Sequence, residues 1–151
     1  MDLHVLWFVL LVVLLTGYDY YNQMTDTPMA RLTQYVAGGG GLVTTEWLAY
    51  YGSRNRILTA ILPILDSDDY DYEAETLRPV PGHSLVRNLP DAMPTGPDWT
   101  WVTLIPDTTA AKQARVAVTG DLGGPAVVTG AHGNGRTVAW GMAGGYEGDD
   151  I

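Results

Sequence analysis

Glu46 stands where chemistry would be expected. It follows the four glycines Gly38 to Gly41 and the apolar run Leu42-Val43-Thr44-Thr45, and Trp47-Leu48 continue beyond it in a pattern that predicts a helix. In an open α/β sheet a strand-to-helix turn lies at the carboxyl end of the strands, where ligands and catalytic groups sit. Tyr18, Asp19 and Tyr20 follow an earlier apolar run in the same way. Aromatic rings beside carboxylates suit a small polar molecule such as a sugar, through stacking and hydroxyl hydrogen bonds. Glu46 would serve as a general base if burial raised its pKa. Asp19 roughly 5–10 Å away would complete a hydrolase-like carboxylate pair. The plainer alternative is that Glu46 caps the next helix, where the helix dipole favours a carboxylate, and that the tyrosines pack on a surface loop.

Other chemistry is harder to build. The chain has no cysteine, which excludes disulfides, thiolate metal sites and a cysteine nucleophile. Thr45 offers a hydroxyl, but a strand threonine reads as structural. His4, His83 and His132 lie on separate elements and make no metal set. His83, after Pro81-Gly82, is expected to make a loop hydrogen bond, and His132 to be exposed at a hairpin. Asp66–Glu75 holds six acidic residues in ten. Asp66, Asp68, Asp69 and Asp71 could offer oxygen ligands to calcium, but the spacing lacks the glycine and final glutamate of an EF-hand. Acids alternating with Tyr70, Tyr72 and Ala74 fit a solvated edge strand better. No metal and no cofactor is expected.

Composition bounds the partners. With 17 acidic against 8 basic residues the net charge is −9, which argues against nucleic acid and against anionic membrane surfaces. The apolar run Val5–Leu15 is eleven residues long, too short for a membrane span of about 20. It lacks the basic flank and small-residue cleavage site of a secretory signal. A cytoplasmic location is the expectation.

The positioning elements follow from pattern. Val9–Thr16 reads as a parallel strand buried on both faces. Thr27-Pro28 reads as a helix start, Met29, Leu32 and Val36 recur at helical spacing, and Gly38 reads as the C-cap. Strand, helix and strand then make a right-handed βαβ unit. Arg56–Ile64 reads as a second helix, ended by Pro63. Pro79–Pro97 carries five of the nine prolines and reads as a connector with one helical turn at Ser84–Leu89. Strands are expected at Trp99–Ile105, Ala114–Thr119, Pro125–Ala131 and Arg136–Trp140. His132-Gly133-Asn134-Gly135 joins the last two, and the Asn-Gly pair marks a hairpin.

The order of elements resembles the class I glutamine amidotransferase-like superfamily, in particular its divergent amidotransferase and trehalose-utilisation-type branch. The matching pieces are VVLLTGYD (Val12–Asp19), the helix ending in GGGG, GLVTTEWLAYY (Gly41–Tyr51), PGHSLVRNLP (Pro81–Pro90) and PAVVTGAHGNGRTVAWGMAGG (Pro125–Gly145). The resemblance implies α/β architecture, a flavodoxin-like parallel sheet flanked by helices, with a β-rich C-terminal hairpin region and without the family's first β-α portion. Residues 1–151 would be a single amidotransferase-like domain, or a fragment of a larger protein. The family's cysteine would fall nearest Glu46 and its histidine segment on Trp140–Gly144, so neither nucleophile nor base is present.

Three functions follow. The first is a non-catalytic amidotransferase-like domain that binds a small polar ligand or a partner chain, at Tyr18, Asp19, Tyr20 and Trp47. The second is a hydrolase of carbohydrates or related polar substrates with Glu46 as general base. The third is a structural or oligomerising module, which predicts an exposed apolar face or an unpaired strand edge.

Overall fold

The computed structural model describes residues 11–14, 25–45, 60–71, 75–96, 100–121 and 124–143. The first unit is β1 (Leu11–Leu14), α1 (Asp26–Ala37) and β2 (Gly41–Thr44), with β1 and β2 parallel. The helix begins one turn-fraction earlier than its sequence signal. Thr25 is the N-cap, Asp26 lies in the first turn and Pro28 falls third in the helix rather than first. The first-turn amides have no intrahelical partner, so proline is tolerated there. Met29 and Val36 are buried as expected.

The end of α1 is a Schellman motif. Gly40 N–H donates to the Tyr35 carbonyl at 3.0 Å and Gly39 N–H to the Val36 carbonyl at 2.9 Å. Gly39 sits at φ +117, where only glycine is unstrained. The glycine run therefore stops the helix and returns the chain directly into β2.

The remaining strands are β3 (Ile64–Asp71), β4 (Thr76–Pro79), β5 (Met93–Pro94), β6 (Thr100–Pro106), β7 (Arg115–Gly120), β8 (Pro125–His132), β9 (Gly135–Trp140) and β10 (Met142–Ala143). The large sheet has seven strands in the order β1-β2-β9-β8-β7-β4-β5, and a small sheet has the order β10-β6-β3. Only β1, β2 and β9 run parallel; every other described pair is antiparallel.

This overturns the expected flavodoxin-like parallel sheet flanked by helices. The fold is mostly β, and among the described residues α1 is the only full α-helix. The strand-helix-strand start is a parallel unit, but the pattern does not continue. The stretch after Arg56 is helical at Ala60 and Ile61, bends at Leu62-Pro63, and is already strand from Ile64. The proline removes a backbone donor and ends the helix, and β-rich hairpins, which close locally, take over. The connector is also more ordered than its prolines suggest, since its two ends are β4 and β5, paired antiparallel. β3 is an edge strand of the small sheet, as its alternation suggested. Glu75, however, is buried at 5% exposure instead of solvated.

Packing divides the large sheet into two unlike faces. On one, α1 and the small sheet cover Leu42, Val128 and Ala139, with Met29, Val36, Ile64 and Leu104 in the same core cluster. On the other, Leu77, Val118 and Val127 are covered by Val86 and Met93 from the segment between β4 and β5. That cover stops short of the parallel strands. Leu11 and Val13 of β1 are 58% and 48% exposed, so β1 is not buried on both faces.

Candidate functional site

Glu46, Trp47, Tyr18, Asp19 and Tyr20 lie outside the described residues. What the structure describes is their approach: β1, β2 and β9 run in register to Leu14, Thr44 and Ala139 at their carboxyl ends. Thr44 is fully buried, and its hydroxyl donates to the Val138 carbonyl at 3.4 Å.

A different site is assembled on the incompletely covered face of the sheet. Cross-strand register sets Arg115, Thr129, Val138, Val43 and Val13 in one row from β7 to β1. The row runs from polar to apolar. At its polar end is a cleft of about 550 Å³ lined by His83, Gln113, Arg115, Thr129 and Arg136, with Leu85 and Val138 on its border. Leu85 and Val138 also border an apolar cleft of about 440 Å³, lined by Val43, Leu77, Leu89, Val127 and Trp140. Leu85 at 54% and Trp140 at 37% exposure leave this apolar wall open to solvent.

His83 holds the two halves together. Leu85 N–H donates to its Nδ1 at 3.2 Å, and its Nε2 lies 3.0 Å from Thr129 Oγ1. An Nδ1 that accepts places the proton on Nε2, which then donates to Thr129. The Thr129 hydroxyl passes the chain on to the Arg115 carbonyl at 3.3 Å. The sequence reading of His83 as a loop hydrogen-bonding residue is met. Beyond it, the ring pins the 3-10 turn Ser84–Val86 to the middle of the sheet.

His132 differs from its expected exposure: it is half-buried. Burial, and then the positive charge of Lys112, push its pKa below the ordinary value of 6.5. Lys112 itself is held by the Ala60 carbonyl. A lowered folded pKa means that His132 contributes stability which is intact above about pH 6.5. It is lost as pH falls, because the unfolded chain takes up the proton first. The melting temperature of the wild type is expected to drop between pH 7.5 and 5.5 more steeply than that of His132→Gln. Parallel slopes would remove His132 from the account.

Among the described residues no group of three His, Cys, Asp or Glu could hold a metal ion. No described helix is long and apolar enough to cross a membrane.

Sequence reasoning looked to the carboxyl rim and missed this cleft, which opens beside Arg136 at the start of β9, the opposite end of the parallel strands. One signal was available. Arg115 and Arg136 are two of only eight basic residues, Arg136 opening one predicted strand and Arg115 second in another.

No protein-family model matches the chain, and no curated protein matches it. Solved structures do. A cytoplasmic protein from Salmonella typhimurium superposes with TM-score 0.63 at 22% identity, over 82% of this chain and 52% of its own. A ThuA-like protein from Bacteroides uniformis gives TM-score 0.64 at 16% identity, over 87% of this chain and 59% of its own. A β-galactosidase from Bacillus circulans gives TM-score 0.60 at 15% identity, over 89% of this chain and 19% of its own. The chain thus spans about half the length of the first two. At these identities the likeness is one of fold.

Proposed function

We propose that this chain is a non-catalytic, amidotransferase-like domain that binds a small polar ligand of the carbohydrate class. The observation that carries this reading is the polar cleft on the sheet face opposite α1, where His83, Gln113, Arg115, Thr129 and Arg136 come together. A concave site with a few convergent polar groups and an apolar border fits a small polar molecule. The absence of cysteine supports a role without acyl transfer, and the hydrogen bonds of His83 are spent on holding the fold. The ThuA-like and β-galactosidase neighbours support a carbohydrate setting. The rim residues Tyr18, Asp19, Tyr20 and Trp47 remain a proposed second contact surface.

The test is a calorimetric binding screen against neutral and acidic monosaccharides, run beside an assay of aryl-glycoside hydrolysis. Binding without turnover is expected. Turnover that disappears in Glu46→Gln would replace this reading with the hydrolase. No binding of any sugar at millimolar concentration would remove it.

One observation favours a second reading, an assembly role. β1 pairs with β2 and with no other described strand, and its Leu11 and Val13 continue an apolar wall that reaches Val43, Val138 and Trp140. Among the described residues an apolar face and a strand edge lie side by side, which supports this reading. A second copy of the chain would satisfy both at once, because a strand edge is self-complementary. Light scattering at micromolar concentration is expected to give a dimer, and Val13→Asp a monomer. A wild-type monomer would end this reading.

A further inference from the structure

The chain carries nine net negative charges, yet the polar cleft is basic. Its described lining includes Arg115 and Arg136 and no aspartate or glutamate. That is unexpected in a chain where acids outnumber bases 17 to 8. Of the described arginines Arg78 holds a carboxylate, gripping Asp121 with two hydrogen bonds, at 2.6 and 3.2 Å. Arg115 has no such partner among the described residues. Arg136 gives one N–H to the Gly135 carbonyl at 3.2 Å, which leaves most of its five donors unused.

Register brings the two together. Arg115 is opposite Thr129 and Arg136 opposite Ala131, so they flank β8 on one face of the sheet, two residues apart along it. Strand spacing and rise put their Cα atoms roughly 12 Å apart. Two long side chains span that distance around a single small ligand. Thr129, on β8 between them, and Gln113, just before β7, line the same cleft with polar groups.

We infer that this cleft takes a small oxyanion-bearing polyol, a sugar acid or a sugar phosphate, with the guanidinium groups of Arg115 and Arg136 on the oxyanion. Planar guanidinium matches carboxylate and phosphate through paired hydrogen bonds. The inference rests on the binding role proposed above and names its ligand class.

The experiment compares glucuronate, glucose 6-phosphate and glucose on the full chain by calorimetry at low ionic strength. One or both acids are expected to bind at least tenfold more tightly than glucose, and which of them binds separates carboxylate from phosphate recognition. Arg115→Ala with Arg136→Ala is expected to weaken that binding at least tenfold, whereas Arg31→Ala leaves it unchanged. Should the double alanine variant fail to fold, Arg115→Gln and Arg136→Gln, each tested singly, carry the same expectation. Glucose binding as tightly as the acids would overturn the inference and leave the binding role standing. Binding of none of the three at millimolar concentration would overturn both. Acid binding unaffected by either arginine would overturn the assignment of the site.

Discussion

Gly135→Ala is expected to lower the melting temperature by about 10 °C. Gly135 opens β9 beneath the end of α1. A Cβ there would overlap the Val36 and Gly40 carbonyl oxygens. Both are backbone atoms, and both are committed. Val36 O accepts from Gly39 in the helix stop, and Gly40 O accepts from Arg136 N–H at 3.2 Å. Neither can retreat without loosening the helix end or the β2–β9 ladder. Overpacking of this kind costs about 3 kcal/mol, and each kcal/mol moves the midpoint of a domain this size by about 3 °C. Gly82→Ala is the control. Gly82 has φ +83 but nothing within 4 Å of its Cβ position, so only the backbone strain of about 1 kcal/mol applies. If the two variants melt together, the close approach of β9 to the helix end is wrong.

Leu42→Ala and Val43→Ala are expected to differ widely although the residues are adjacent. Leu42 points to the covered face, is 1% exposed and packs among Met29, Val36 and Ala139. Truncating a buried leucine costs about 2–5 kcal/mol, through lost transfer energy and the cavity left behind. Val43 points to the open face and lines the apolar cleft. Its truncation is expected to cost under about 1 kcal/mol, because its side chain is only partly buried and borders the cleft instead of the closed core. Urea denaturation with a common slope would read both. Equal losses would mean that the second face is as fully covered as the first, and both the ligand cleft and the dimer surface would lose their basis.

The β8–β9 hairpin shows where local reading holds and where it slips. The sequence marks the hairpin correctly, but takes Asn134-Gly135 as its centre. The pairing of His132 with Gly135 makes Gly133-Asn134 the two-residue loop, with Gly133 at φ +59 and Asn134 at negative φ. That combination fits a type II′ turn, in which only the first position needs glycine. The shift has a tertiary cause. Asn134 N–H donates to the Ala37 carbonyl at 3.0 Å, so the hairpin tip caps the last turn of α1.

By itself, the sequence determined what short-range physics controls. The periodicity of Met29, Leu32 and Val36 specifies α1, the glycine run specifies its stop, and alternating β-rich runs specify β6 to β9 within one or two residues. Zero cysteine excludes thiol chemistry. The tertiary structure alone decided how these elements pair. β2 runs parallel to β9, which lies more than ninety residues further along the chain, and no local signal chooses such a partner. That choice turned an expected helix-flanked parallel sheet into a mixed, mostly β fold. It also left one face open. Val43 and Leu42 look alike as sequence, and only the layer packed against each separates core from cleft. The basic cleft has the same origin. Its histidine and threonine are 46 residues apart, and its arginines become neighbours only when β8 is inserted between β7 and β9.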